Sequence, residues 1–199
     1  MAWETVPACG CRLCTGERPG PDWTDHDRKL MADVDAWAWH VVNIPAADGV
    51  PGWSFTVGLC HSFATAELAL FGLAPKVSHI GLNDIGEVAR AGDPLRAGSR
   101  RDDVLEGYEV ELRPVDRAWH RALFGYAGWF YPPPGPAFLQ VVWPDMSGHF
   151  PWEDDFDSKL RRFQPALWTP PAQERPGPWR AWWWASDWPG RSKPAGSSS

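Results

Sequence analysis

No stretch of this chain approaches the roughly 20 consecutive apolar residues that a helical membrane span requires, so a membrane-spanning segment is not expected. The N-terminus also lacks the charged start and apolar continuation of a secretory signal. Basic runs are absent, and a formal charge of −6 leaves no cationic surplus to displace counterions from a phosphate backbone. General nucleic-acid binding is therefore not expected. Neither G-x-G-x-x-G nor the P-loop pattern occurs, which removes two glycine-based devices for holding nucleotide phosphates. Cysteine is scarce, at 4 of 199 residues. The missing signal and span predict a cytoplasmic protein, and in that reducing compartment the four cysteines are expected as thiols or metal ligands rather than disulfides.

Tryptophan and proline, by contrast, are abundant, at 15 and 21 residues. Part of that excess is compositional, because Trp, Pro, Gly, Ala and Arg all have GC-rich codons. The rest has a pattern. Residues 1–22 carry Cys9, Cys11 and Cys14 among glycines and prolines with no hydrophobic period, and read as a Cys-rich leader. Residues 23–168 read as one domain, a length typical of a single core. Residues 169–199 form a Trp/Pro-rich tail with no periodic apolar face. Three consecutive indoles, Trp182 to Trp184, are costly to leave in water, so the tail is expected to dock on its own domain before any partner.

Within the domain, Leu30, Met31 and Val34 give residues 25–36 a helical stripe, and the β-branched and aromatic run 37–44 reads as a strand. Residues 53–59 alternate at period two, a second strand. The apolar run 67–73 predicts a third. Pro75 then opens a helix to residue 91, and one or two strands flank Gly107. Asp116 is expected to cap a second helix carrying Trp119, Leu123 and Tyr126. Residues 138–143 form a last strand before the turn Pro144–Gly148. Strands and helices without regular βαβ alternation predict an α+β fold, a mainly antiparallel or mixed sheet packed by two principal helices.

Phe55-Thr-Val-Gly-Leu59, Glu67-Leu-Ala-Leu-Phe-Gly-Leu73, Leu82-Asn83-Asp84, and Gln140-Val-Val-Trp143-Pro-Asp145 through Gly148-His-Phe-Pro-Trp152-Glu153, then Gln164-Pro165, carry a resemblance. In order and spacing they resemble the bacterial domain-of-unknown-function family 4262, over roughly residues 37–168. The leading cysteines are similar to N-termini in that family. The resemblance implies an α+β fold and no particular activity. Where family members often place His-Pro before the Glu-Leu of the third strand, this chain has Thr65-Ala66, with His61 as the nearby substitute.

Three chemistries compete. Glu67, Asn83, Asp84, Gln140, Trp143, Asp145, His149, Trp152 and Glu153 combine aromatic walls with a few polar groups, the usual make-up of a small-ligand site. They predict a module binding a small molecule or protein through a groove near Trp143–Glu153. The bland alternative has Gln140 and Asp145 satisfying backbone groups and the two indoles in the core. A second reading is a hydrolase or transferase in which Glu67, Asp145 or His149 acts as acid or base. The third is a zinc-stabilised interaction module. Cys9, Cys11 and Cys14 supply three soft thiolates within six residues, and a closed zinc site needs a fourth ligand. His26, Cys60 and His61 are the suitable supplements, with His26 expected to complete the set.

Overall fold

The computed structural model describes residues 9–185. Helix α1 (Asp25–Trp37) starts where Thr24 and Asp27 cap each other, the Asp27 N–H donating to Thr24 Oγ1 and the Thr24 N–H to Asp27 Oδ2. Its Leu30, Met31 and Val34 are buried. Strands β1 (His40–Ile44) and β2 (Trp53–Val57) form a hairpin, and a short helix α2 (Leu59–Phe63) leads to β3 (Glu67–Phe71). Helix α3 (Pro75–Arg90) follows, with Pro75 in its first turn. Strands β4 (Arg100–Leu105) and β5 (Tyr108–Pro114) form the second hairpin. Helices α4 (His120–Leu123) and α5 (Gly125–Phe130) precede β6 (Phe138–Val142), and α6 (Pro178–Ala185) comes last.

The six strands form one mixed sheet in the order β1-β2-β3-β6-β5-β4. Every neighbouring pair is antiparallel except the central pair β3 and β6, in which Glu67 lies opposite Phe138. The α+β single-domain expectation therefore holds. Period-two alternation sends Leu68 and Leu70 to one face, where Leu82 and Ile85 of α3 cover them. It sends Ala69 and Phe71 to the other, beneath α1, α5 and the C-terminal segment. Both faces are thus buried, which accounts for strands β3 and β6 being buried at every residue.

Several expected elements differ, and the strand expected over 37–44 begins only at His40, since Trp37 belongs to α1 and Ala38 ends that helix at φ +82°. The strand expected over 53–59 ends at Val57, because Gly58 takes φ +125° and starts α2. A side chain there would place its Cβ 2.6 Å from the Ala38 carbonyl, so the position requires glycine. The single helix expected after Asp116 is broken: Asp116 does cap a first turn through the Ala118 N–H, but Phe124 leaves helical geometry and separates α4 from α5. The described part of the tail, residues 169–185, joins the core, and the rest of the expected tail lies outside the described residues. Trp179 is 2 % exposed, its indole N–H donates to the Arg162 carbonyl at 2.9 Å, and its ring meets Phe71 edge-on at 5.2 Å. Trp182 and Trp183 pack beside it on Trp53 and Trp119. Among the described residues, no helix is long and apolar enough to cross a membrane.

Candidate functional site

The leader is fixed to the domain by its second cysteine and the arginine that follows. Cys11 is fully buried, and the Arg12 side chain donates to the Trp129 carbonyl at 2.6 Å while its guanidinium lies over the Trp129 ring. The Arg12 N–H donates to the Phe130 carbonyl, and Thr15 closes the leader's turn on the Cys11 carbonyl. That docking brings the thiols of Cys9, Cys11 and Cys14 to the imidazole of His61, all four ligand atoms lying within 4.8 Å of one another. His61 Nδ1 is 3.2 Å from Cys11 Sγ and 3.3 Å from Cys14 Sγ. Ligand atoms around a tetrahedral zinc ion stand about 3.5–3.8 Å apart, given Zn–S and Zn–N bonds of about 2.3 and 2.0 Å. The cluster is close to that size.

The side chain that joins the three thiols, and that could supply a fourth ligand atom, is thus His61 and not His26. The physical reason is the cap on α1: with Asp27 paired to Thr24, His26 in the first turn faces inward, its ring 4.2 Å from Tyr126 and edge-on to His40. Burial pushes the Cys11 thiol up to about 12 and raises Cys14 as well. A bound dication reverses this preference, because a coordinated thiol is held deprotonated.

His61 is itself held by a buried acid. Glu67 is fully buried at the start of β3, and its Oε1 accepts the N–H groups of Gly58 and Cys60 and the Tyr131 hydroxyl. Its Oε2 accepts from Thr56 Oγ1 at 2.6 Å. The Tyr131 oxygen in turn accepts the N–H groups of Gly58 and His61. Burial, and then the Glu67 carboxylate beside it, push the Tyr131 hydroxyl far up, so it remains a donor. With its acceptor sites filled by four donors, Glu67 anchors the backbone that carries His61. Glu67→Gln is expected to lower stability by about 1–3 kcal/mol, the usual penalty for leaving a buried partner mismatched. Urea unfolding at neutral pH reads this directly, and an unchanged midpoint would contradict the network.

The remaining expected residues do not converge. Because β3 and β6 run parallel, Glu67 lies at one end of the sheet while Asp145, beyond the far end of β6, lies about 20 Å away along the strand direction. His149 is near Asp145, with Nδ1 3.7 Å from Oδ2. Asp145 accepts the N–H groups of Ser147, His149 and Asp157, which closes the turn and ties it to the next segment. Desolvation pushes this carboxyl up, but those three donors and the His149 ring outweigh it and hold Asp145 below its ordinary 3.8. A depressed carboxyl stabilises the fold above its unfolded pKa, and that contribution fades as pH falls through the folded value. Asp145→Asn should therefore unfold more readily than the parent at pH 7, with the difference shrinking as the melts are taken from pH 4 towards pH 2. A constant difference would mean the charge is irrelevant.

Gln140 is buried and bridges the Pro165 carbonyl and the Leu167 N–H. Trp143 is buried against α3, donating to the Phe71 carbonyl. Asn83 accepts the Trp39 indole N–H at 2.9 Å, on the α3 side of the sheet, and Asp84 is exposed. Glu153 accepts the Phe150 N–H. Trp152, stacked on Phe150 at 4.8 Å, lines a recess, and Asn83 lines a different one on the α3 side of the sheet.

Residues 33–157 match the model of a family described as Domain of unknown function (DUF4262). The chain belongs to the DUF4262 family. No curated protein and no solved structure matches it. The DUF4262 span includes His61, Glu67, Tyr131 and the Trp-Pro-Asp turn, but the three cysteines precede it. It also stops short of most of the recess beside Trp152. That recess, about 460 Å³, is walled by Trp152, Trp168 and Trp179, with Arg161, Arg162 and Arg175 around it and Glu174 in its lining. Arg161, Trp168 and Glu174 were not foreseeable as site residues, since the segment holding them has no periodic pattern. His61 had one usable signal, its position three residues past a glycine that ends a strand.

Proposed function

We propose that this protein is a binding module stabilised by one zinc ion, held by Cys9, Cys11, Cys14 and His61. The observation carrying this reading is the convergence of those four ligand atoms within 4.8 Å, on a leader whose docking is independently fixed by Arg12. Three thiolates and one imidazole form a soft, four-ligand set of the kind that suits structural zinc, with no position left for a reacting water. When bound, zinc would supply a crosslink between leader and domain. Reduced thiolates also fit a cytoplasmic location. Binding itself is supported by the recess beside Trp152, whose volume and aromatic walls are those of a small-ligand site. The hydrolase or transferase reading through Glu67, Asp145 and His149 lacks comparable support, because the acids stand at opposite ends of the sheet. Elemental analysis of the purified protein is the test: about one zinc per chain is expected, and a chain that stays metal-free in zinc-replete conditions would sink the proposal.

A further inference from the structure

The recess beside Trp152 has a chemical bias that a merely apolar pocket would lack. Its aromatic part is rigid. Trp152 is stacked on Phe150 and meets Trp168 edge-on at 5.5 Å, while Trp179 is held by its hydrogen bond to the Arg162 carbonyl. Phe150 and the Arg113 guanidinium, 3.7 Å from the ring centroid, cover Trp152, and Trp179 is 2 % exposed, so the half-buried Trp168 is the indole that offers flat apolar area to a ligand.

Its polar part is unbalanced. Arg161, Arg162 and Arg175 all line the cavity, and none of the three forms an ion pair with a carboxylate among the described residues. This contrasts with Arg12, Arg28, Arg90, Arg100, Arg101 and Arg113, each of which has an acidic partner. Arg161 Nε is buried with no acceptor, and its NH2 group reaches only the Glu153 carbonyl at a long 3.4 Å. Arg175 donates to the Pro151 carbonyl at 3.3 Å. On a chain of formal charge −6, three guanidinium groups around one cavity are a local reversal of sign. The one acid present, Glu174, is buried, which pushes its carboxyl up against the opposing pull of the Ala166 N–H on its Oε2 and of the nearby Arg175 and Arg180 charges.

We propose that this recess binds a small organic anion with a flat ring, its carboxylate or other oxyanion head on Arg161 and its ring against the Trp168 indole. The inference rests on the binding-module reading and adds the ligand class. Guanidinium groups match carboxylate and phosphate heads through paired N–H donors, and Trp faces accept planar rings. A carboxylate and a phosphate head share this chemistry, and probes of both kinds separate them.

The zinc-loaded, full-length protein is titrated calorimetrically with 2-naphthoate, with 2-naphthyl phosphate, and with neutral 2-naphthamide. One site per chain is expected, with an anionic probe binding at least tenfold more tightly than the amide. Arg161→Ala should weaken the anion at least tenfold and leave the amide unchanged. Arg162→Ala, at an exposed side chain that is safe for folding, should weaken the anion severalfold and flatten its salt dependence. Trp168→Ala should weaken all three probes. Equal affinity for naphthoate, naphthyl phosphate and naphthamide would overturn the anion assignment while keeping the recess as a binding site. Absence of binding by every probe, from a protein that still holds its zinc, would overturn the recess altogether and leave the metal centre standing.

Discussion

Cys11→Ser should yield protein with no bound zinc, and His61→Ala should do the same, whereas His26→Ala should retain a full equivalent. The asymmetry is the point, since His26 and His61 are both reasonable partners for the cysteines in the sequence and only His61 reaches them. A metal present at about 1,000 times its dissociation constant contributes about 4 kcal/mol to the folded state. For a domain of this size that corresponds to a melting temperature lowered by about 8–16 °C when a chelator strips the ion or Cys11 is replaced. Metal content by mass spectrometry and calorimetric melting measure both effects on the same samples. Loss of zinc from His26→Ala, or its retention in His61→Ala, would refute the assignment of ligands.

The second large effect concerns the C-terminal segment. Trp179 is buried between Phe71 and Trp53 and hydrogen-bonded through its indole nitrogen, so truncation leaves a cavity and orphans the Arg162 carbonyl. Trp179→Ala is expected to cost about 3–5 kcal/mol, the range for large aromatic truncations in a packed core. Met146→Ala is the control: at 88 % exposed it should stay within about 0.5 kcal/mol of the parent. Denaturant midpoints with matched slopes decide the comparison. If both variants unfold together, the segment after residue 169 adds nothing to the core.

Much of the fold was legible because periodicity survives in single elements. The stripe Leu30, Met31 and Val34, Pro75 opening α3, and the apolar runs of β3 and β6 each report a local preference that tertiary packing preserved. Helix α2 was not legible, because what creates it is long-range: Gly58 at positive φ before it and a carboxylate from the following strand that takes the N–H groups of Gly58 and Cys60.

The candidate site divides along the same line. Three of the proposed metal ligands were plain, since closely spaced thiols in a loop need no fold to be recognised. The fourth needed one, as Cys11 and His61 are 50 residues apart. Gln140, Asp145 and Glu67 drew notice as polar residues in apolar surroundings, and in the fold each is taken up by backbone or hydroxyl partners. Buried polar groups of this sort look alike in sequence whether they bind a ligand or support the chain. The arginines of the recess gave no warning because nothing local distinguishes a paired guanidinium from an unpaired one.

The parallel join between β3 and β6 has a kinetic side. Each half of the sheet can zip up from neighbouring residues, one through the β1-β2 hairpin and the other through β4-β5. The halves become continuous only when strands about 70 residues apart in the chain meet in the middle. Closing so long a loop costs entropy before any contact repays it, so the seam is expected to be the slow topological step in folding, following both hairpins.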